Sequence, residues 1–285
     1  MGCRTASSVL AERHLHSVGM DVSWTITEVG DGSSPLLLHV PHAATLIPEA
    51  ERSDLLLDDA ALEAELGNLT DWFTDQLVLD ALTTSGVSAR VFMNNLSRLV
   101  IDPERFPDDR EPMEAIGMGP VYRVTSDLRP LRRADPAERE RLLDTYFFPY
   151  GRAFTEVVDE TLADFGGVTI LDTHSFPSLP LPYELDQAAL RPGICVGTDP
   201  YHTPPELIEA AFKVFSDVPG GVAENSPFQG TYVPLRHWGK TPTVRSMMVE
   251  IRRDLYQHEP GGPVHDGYGE VVERLGQLFS ALADQ

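Results

Sequence analysis

Three polar side chains in this sequence lie at or just beyond the ends of apolar runs that are typical of buried strands. The runs cover residues 35–40, 168–172 and 246–251, and the side chains are His42, His174 and Glu250. Ligands of open α/β sheets bind beyond the carboxyl ends of the strands. We therefore expect these three side chains to converge, although they are far apart in the sequence. The alternative for each histidine is an ordinary loop or core residue.

His42 and His174 have the chemistry of a metal-binding pair. Neutral imidazole is the usual nitrogen ligand of zinc, and a catalytic zinc site has three protein ligands and an open position for water. The third ligand should be a carboxylate, for which Asp71 and Glu65 are candidates on the helix predicted after the first buried strand. Neither His-x-x-Glu nor His-Glu-x-x-His occurs, so spacing alone does not choose the ligand. Such sites bind one Zn²⁺, but they also accept iron, cobalt or manganese.

Two arginines flank a predicted short strand in the segment NLSRLVIDPER. They are Arg98 and Arg105, and the strand ends in Asp102. A guanidinium in a cleft can bind a substrate carboxylate through two parallel hydrogen bonds. The alternative is a structural salt bridge between either arginine and Asp102.

A second segment with substrate-binding character is GTYVPLRHWG, residues 230–239. It has glycine at both ends and contains Tyr232 and Arg236. This composition is typical of a substrate-contact loop, and the alternative is a surface loop held in place by Trp238.

The elements that must position these residues alternate along the chain. Hydrophobic periodicity predicts strands at 22–29, 35–40, 87–93, 97–101, 168–172, 194–197 and 246–251, and helices at 58–82, 136–165, 205–216 and 264–283. Residues 107–135 are rich in Pro, Gly, Arg and Asp and predict a long loop or lid. The alternation favours a single α/β domain, residues 21–285, with a mixed, mainly parallel sheet flanked by helices. Residues 1–20 are expected to be a flexible N-terminal extension.

Composition excludes several classes of function. With 44 acidic against 22 basic residues, the formal net charge is −22, which disfavours nucleic acids and anionic membrane surfaces as partners. The sequence has no apolar run long enough for a membrane span. Two cysteines cannot form a disulfide framework, so we expect a cytoplasmic protein. Whether the chain forms a homo-oligomer stays open.

Seven short motifs together give a family resemblance. In chain order they are LLLHVPHAATLIP, TDWFTDQL, RLVIDPERF, LDTHSF, GTDPYHTP, GTYVPLRHWG and MVEIRRDLY. Over about residues 35–280 they resemble the N-formylglutamate amidohydrolase family, which is related in fold to zinc carboxypeptidases and aspartoacylases. The resemblance implies a phosphorylase/hydrolase-like α/β domain. It also implies hydrolysis of a small carboxylate-bearing N-acyl amino acid, with N-formyl-L-glutamate as the leading candidate.

The resemblance also implies roles for individual residues. His42 and His174 match the zinc histidines, and Asp71 replaces the carboxylate that the related carboxypeptidases carry where this chain has Thr45. Glu250 matches the carboxylate that acts on water.

Further matches concern the substrate. Arg105 and Arg98 match the contacts to the substrate carboxylate, and one of them would stabilise the oxyanion. The family often has Asp-x-Asn-Arg where this chain has Asp102-Pro103-Glu104-Arg105. Asp102, Tyr232 and Arg236 complete the set of expected substrate contacts. Two alternatives are a carboxypeptidase-like or cell-wall peptide amidase and a non-catalytic carboxylate-binding protein.

Overall fold

A seven-stranded mixed sheet forms the centre of the protein, which we describe from a computed structural model over residues 23–188 and 190–283. The strands are β1 (Trp24–Val29), β2 (Leu36–Val40), β3 (Ala89–Asn94), β4 (Val168–Phe176), β5 (Ile194–Gly197), β6 (Val222–Glu224) and β7 (Val244–Arg252). Their order across the sheet is β1-β3-β2-β4-β7-β5-β6. The predicted N-terminal extension, residues 1–20, lies outside the described residues.

Helices cover both faces of this sheet. They are α1 (Glu49–Arg52), α2 (Asp59–Leu69), α3 (Thr74–Ser85), α4 (Pro136–Leu142), α5 (Phe148–Phe165), α6 (Pro205–Val214) and α7 (Tyr268–Ala283). Apolar side chains of α3, α6 and α7 form one core against the sheet, and those of α5 form a second core on the opposite face. The mixed, mainly parallel sheet flanked by helices is therefore confirmed. Among the described residues, no helix is both long and apolar enough to span a membrane.

Four neighbouring strands, β3, β2, β4 and β7, run parallel to one another. Their carboxyl ends consequently meet at one edge of the sheet. Side chains alternate between the two faces of a strand, and Leu37, Ile170 and Val244 show which face packs against α5. The side chains that share this face farther along β2, β4 and β7 are His39, Asp172, His174 and Glu250.

The helix predicted over residues 58–82 is interrupted, which corrects the prediction of one continuous element. The chain leaves helical geometry at Thr70 and re-enters it at Thr74, with Phe73 in the left-handed region at φ 65°. In the gap, the backbone N–H of Asp71 donates to the carbonyl of His42 at 3.0 Å instead of to a helical carbonyl. This tertiary hydrogen bond outweighs the helical pattern, whose apolar residues continue on both sides of the break.

The prediction of a strand over residues 97–101 is wrong. These residues form a turn, and Leu99, Val100 and Ile101 are buried there without pairing to the sheet. An apolar run of this length does not distinguish a strand from a buried turn.

The helix predicted over residues 136–165 is also interrupted. Helices α4 and α5 are joined by a π-helical turn, Leu143–Phe147, immediately before Pro149. Proline lacks the backbone N–H that would continue a regular helix through this point.

Residues 107–135 contain a short 3₁₀ helix, Pro112–Ile116, and otherwise irregular structure, as predicted. They are nevertheless packed against the rest of the protein. Met113, Met118, Tyr122 and Leu131 form a small apolar core with Leu69 of α2 and with the residues that precede this helix. Glu65 anchors the segment by accepting hydrogen bonds from the backbone N–H of Ser126 at 2.6 Å and from its hydroxyl at 2.8 Å.

Candidate functional site

One cavity of about 1350 Å³ opens at the carboxyl-terminal edge of the parallel strands. All of the residues predicted from the sequence to form the site line it, although they come from distant parts of the chain. They are His42, Asp71, Arg98, Asp102, Arg105, His174, Tyr232, Arg236 and Glu250. The expected convergence of His42, His174 and Glu250 follows from the parallel strands that carry or precede them.

His42, Asp71 and His174 present three ligand atoms to one point. The Nδ1 atoms of the two imidazoles are 3.2 Å apart. Oδ2 of Asp71 is 3.1 Å from Nδ1 of His174 and 3.7 Å from Nδ1 of His42. Ligand atoms at zinc-binding distances of 2.0–2.1 Å from a tetrahedral centre would be about 3.3–3.4 Å apart. The spacing of the three ligand atoms therefore fits a metal ion, which His42, Asp71 and His174 would hold.

Asp71 is held in this arrangement from the opposite side by Arg253. The guanidinium of Arg253 donates to Oδ1 of Asp71 at 3.1 Å and to Oγ of Ser175 at 3.1 Å, and all three residues are buried. Burial by itself would raise the pKa of Asp71, but His174 and His42 lower it below its ordinary value. Asp71 is therefore ionised. The alternative candidate, Glu65, is bonded to Ser126 as described above.

The Arg253–Asp71 pair leads to a prediction about stability. Replacing Arg253 by methionine should lower the free energy of unfolding by about 3–5 kcal/mol, because the buried carboxylate of Asp71 loses its charged partner. The measurement is chemical denaturation with a metal chelator present, so that bound metal does not mask the change. As a control, Arg129→Met removes an exposed ion pair with Asp127 and should change stability by less than about 1 kcal/mol. Equal effects of the two substitutions would contradict the prediction.

Asp102 orients the second nitrogen of His42. Its Oδ1 is 3.0 Å from Nε2 of His42, while Oδ2 accepts hydrogen bonds from Arg98 at 2.8 Å and from the hydroxyl of Tyr122 at 2.5 Å. Asp102 is completely buried. Burial would raise the pKa of Asp102, but His42 and Arg98 hold it well below its ordinary value. A carboxylate on Nε2 leaves Nδ1 of His42 free to bind a metal.

His174 has a similar arrangement on its outer edge. Its Nε2 is 3.0 Å from Oδ1 of Asp172 and 3.2 Å from Oε2 of Glu104, although neither contact is a hydrogen bond. Burial would lower the pKa of His174, but the negative charges of Glu104 and Asp172 raise it well above its ordinary value. The two imidazoles of the triad therefore each have carboxylates behind them.

Glu250 lies next to the triad on β7, directly across from His174 in the strand register and opposite Cys195 on the other side. It is buried, and its Oε2 makes no hydrogen bond in the described part of the protein. Burial raises the pKa of Glu250 to about 7. A carboxyl group with a pKa near the ambient pH is well suited to accept and return a proton. Burial raises the pKa of the neighbouring Cys195 thiol to about 12, which disfavours the thiolate form that acts as a nucleophile.

Arg105 is the more available of the two predicted arginines. Its side chain is 27% exposed, against 12% for Arg98, and its Nε is 3.5 Å from Oδ2 of Asp102 without forming a hydrogen bond. Arg98 is bonded to both Asp102 and Tyr122. The structural salt bridge considered for Arg98 is therefore present, and Arg105 retains donors for a ligand.

The loop 230–239 lines the cavity with Tyr232 and Arg236. The backbone N–H of Tyr232 donates to Oδ2 of Asp172 at 3.1 Å, and its ring packs against Phe154. Arg236 is 68% exposed and pairs with Asp159 at 2.6 Å. Tyr232 is thus fixed close to the site, whereas Arg236 stands at the cavity rim.

Four residues that contact the site were not selected from the sequence as site residues: His39, Glu104, Asp172 and Arg253. The sequence contains features that could have identified two of them. Asp172 is two residues before His174 and thus on the same face of its strand, and His39 is a polar residue inside an otherwise aliphatic run. The contacts of Glu104 and Arg253 depend on tertiary packing that spacing does not encode.

Comparison with known proteins gives a consistent result. The family model described as N-formylglutamate amidohydrolase matches residues 34–257. A curated relative, N-formylglutamate deformylase of Pseudomonas putida, is 28% identical over 236 residues, which cover 80% of this chain and 84% of the relative.

Two crystal structures have the same fold. The N-formylglutamate amidohydrolase of Ralstonia eutropha JMP134 superposes with a TM-score of 0.75 at 22% identity, covering 92% of this chain and 97% of the other. A gene product of Agrobacterium tumefaciens superposes with a TM-score of 0.64 at 18% identity, covering 92% and 95%. At these identities the two structures support the fold alone.

Proposed function

This chain belongs to the N-formylglutamate amidohydrolase family, and from that premise we propose that it hydrolyses the amide bond of a small N-acyl amino acid. N-formyl-L-glutamate is the leading candidate, and its products would be formate and L-glutamate. The observation that carries the proposal is the geometry of His42, Asp71 and His174, with the buried carboxylate of Glu250 beside them. A metal ion that polarises the carbonyl group and a proton acceptor for the attacking water are the two components of metal-assisted amide hydrolysis.

We assign His42, Asp71 and His174 as the ligands of one zinc ion. When bound, zinc supplies Lewis acidity, which polarises a carbonyl group and lowers the pKa of water to about 7. Asp102 is hydrogen-bonded to the outer nitrogen of His42, and Asp172 lies 3.0 Å from the outer nitrogen of His174. We therefore place Asp102 behind His42, as the group that orients it, rather than in contact with substrate.

Glu250 acts as the general base and then as the general acid. It accepts a proton from the water that attacks the amide carbonyl carbon, and it delivers this proton to the amide nitrogen as the C–N bond breaks. The water oxygen leaves in the released acid, and the proton leaves on the amine. The unbonded Oε2 of Glu250 provides the acceptor for the first transfer.

Arg105 binds a carboxylate of the substrate. Replacing Arg105 by glutamine should raise KM for N-formyl-L-glutamate by about 10- to 100-fold with little change in kcat, because a charge-assisted hydrogen bond contributes about 1.5–3 kcal/mol. Steady-state kinetics with this substrate measures the effect. Arg152→Gln is the matched control, since Arg152 is an exposed arginine in the lining of the same cavity. A lower kcat at constant KM would instead assign Arg105 to the oxyanion.

A metal analysis followed by a formate-release screen tests the proposal. The zinc-loaded chain should release formate from N-formyl-L-glutamate faster than from N-formyl derivatives of neutral amino acids, because the second carboxylate gains a guanidinium partner. N-acetyl derivatives of the same amino acids test whether the enzyme prefers a formyl group to a larger acyl group. Absence of both metal binding and hydrolysis across the panel would support the non-catalytic carboxylate-binding alternative.

The dimensions of the cavity favour a second candidate, hydrolysis of a peptide. A volume of about 1350 Å³ exceeds the common range for small-ligand sites, roughly 300–1,000 Å³. Exposed apolar side chains also stand in its lining, namely Phe148, Leu185, Leu235 and Trp238. Release of a C-terminal amino acid from short peptides, without formate release, would select this carboxypeptidase-like or peptide-amidase activity.

A further inference from the structure

A buried histidine that has no role in the mechanism above lies behind the triad. His39 is in the middle of β2, where its neighbours in the run LLLHV are aliphatic, and it is completely buried. Placing an imidazole in such a core is costly unless its polar atoms are hydrogen-bonded. Both ring nitrogens are bonded, because Nδ1 is 2.9 Å from Oδ1 of Asp172 and Nε2 is 2.6 Å from the hydroxyl of Tyr150.

The partners of His39 determine which of its nitrogens carries the proton. An ionised carboxylate only accepts hydrogen bonds, so Nδ1 of His39 donates to Asp172. In the neutral imidazole, Nε2 then has a lone pair that accepts the hydroxyl hydrogen of Tyr150. The ring is also held by aromatic neighbours, with centroid distances of 4.6 Å to Phe154 and 4.8 Å to Tyr232.

Asp172 connects this histidine to a ligand of the triad. Its Oδ2 accepts the backbone N–H of Tyr232, and its Oδ1, which bonds His39, is also 3.0 Å from Nε2 of His174. The negative charges of Asp172 and Glu104 beside Nε2 favour the tautomer of His174 that carries its proton on that nitrogen, which leaves the lone pair of Nδ1 facing His42 and Asp71. The position of the Asp172 carboxylate therefore contributes to how His174 presents its ligand atom.

We propose that Tyr150, His39 and Asp172 form a buried relay that positions His174 for metal binding, with His39 as a positioning residue and not a ligand. The proposal rests on the metal triad of the proposed function. Partners that orient a metal-binding histidine typically change metal affinity by about 10- to 100-fold when they are removed. In this protein the groups that orient His174 would thus reach as far as α5, the helix that carries Tyr150.

The test measures the dissociation constant of Co²⁺ for the full chain by competition with a chelating indicator. His39→Leu continues the aliphatic run of β2 and removes both hydrogen bonds. The double variant His39→Leu/Tyr150→Phe also removes the hydroxyl that would otherwise stay buried without a partner. We expect both variants to bind Co²⁺ about 10- to 100-fold more weakly, and Tyr150→Phe alone to bind it about 3- to 10-fold more weakly.

The control is Tyr268→Phe, which removes a tyrosine hydroxyl bonded to Asp80 on the surface helices and should leave Co²⁺ affinity unchanged. The visible absorption bands of bound Co²⁺ provide a second readout, because they change when His174 is misoriented and do not respond to global stability. The melting temperature of each metal-free variant establishes that it is folded.

Three outcomes would overturn the relay. They differ in whether the metal triad of His42, Asp71 and His174 is rejected with it. If the wild-type chain binds Co²⁺ and the double variant binds it equally well, the relay fails and the triad stands. If His39→Leu binds weakly but the double variant regains wild-type affinity, the loss came from the unpaired hydroxyl. If the wild-type chain binds no Co²⁺, the triad itself is wrong and the relay falls with it.

Discussion

Replacing Glu250 by glutamine should lower kcat by about 10²- to 10⁴-fold, the usual contribution of a general acid–base group, while the chain keeps its fold and its metal. Glutamine has nearly the same shape as glutamate but cannot accept a proton from water at neutral pH. Glu250 is not among the three ligand atoms that converge in the triad. The substitution therefore removes the proton transfer and leaves the metal-binding side chains in place.

The measurement is kcat for formate release, together with metal content by elemental analysis. Glu156→Gln is the matched control, because Glu156 is a carboxylate in the lining of the same cavity on the exposed side of α5. Its kcat should stay within about twofold of the wild-type value. A Glu250→Gln variant that turns over at the wild-type rate would remove Glu250 from the mechanism.

The convergence of the site could be predicted because the strands that carry it are recognisable. Apolar runs before His42 and His174 and around Glu250 predict strands buried on both faces, and such strands are parallel neighbours in an α/β sheet. Their carboxyl ends then lie at one edge without any knowledge of the loops. The observed register places His174 directly beside Glu250.

The position of the proposed third ligand was harder to predict for a physical reason. Asp71 was expected within a continuous helix, but it stands in a break between α2 and α3. The break depends on a hydrogen bond to the carbonyl of His42 and on the guanidinium of Arg253. Both partners are distant in sequence, so the hydrophobic pattern of the helix carried no sign of them.

The surroundings of the triad contain more negative charge than their arginines neutralise. Four carboxylates lie within 3.7 Å of an imidazole nitrogen, those of Asp71, Asp102, Glu104 and Asp172. Arg253 pairs with Asp71 and Arg98 with Asp102, whereas Glu104 and Asp172 face histidines. A divalent cation at the triad would compensate this surplus. The −22 net charge of the whole chain would thus not prevent a small anion from binding, because a cation held at the triad and Arg105 would attract it.

This charge balance leads to the second prediction with a large expected effect. His42→Ala should reduce bound zinc from one ion per chain to a small fraction, and kcat/KM should fall by about 10³-fold or more, since a Lewis-acidic metal contributes several kcal/mol to catalysis. Alanine removes one of three ligand atoms and also leaves Asp102 without its imidazole partner. Elemental analysis of the purified chain and formate release measure the two losses.

Thermal unfolding separates loss of the metal site from damage to the fold. Zinc at about 100 times its dissociation constant stabilises a folded protein by about 2.7 kcal/mol, which corresponds to a rise in Tm of about 4–6 °C for a domain of this size. The wild-type chain should show this rise, and so should the control His258→Ala, in which an exposed histidine outside the cavity is removed. His42→Ala should melt at the same temperature with and without zinc. A zinc-dependent rise in that variant would mean that the ion binds elsewhere, and the assignment of His42 as a ligand would then be wrong.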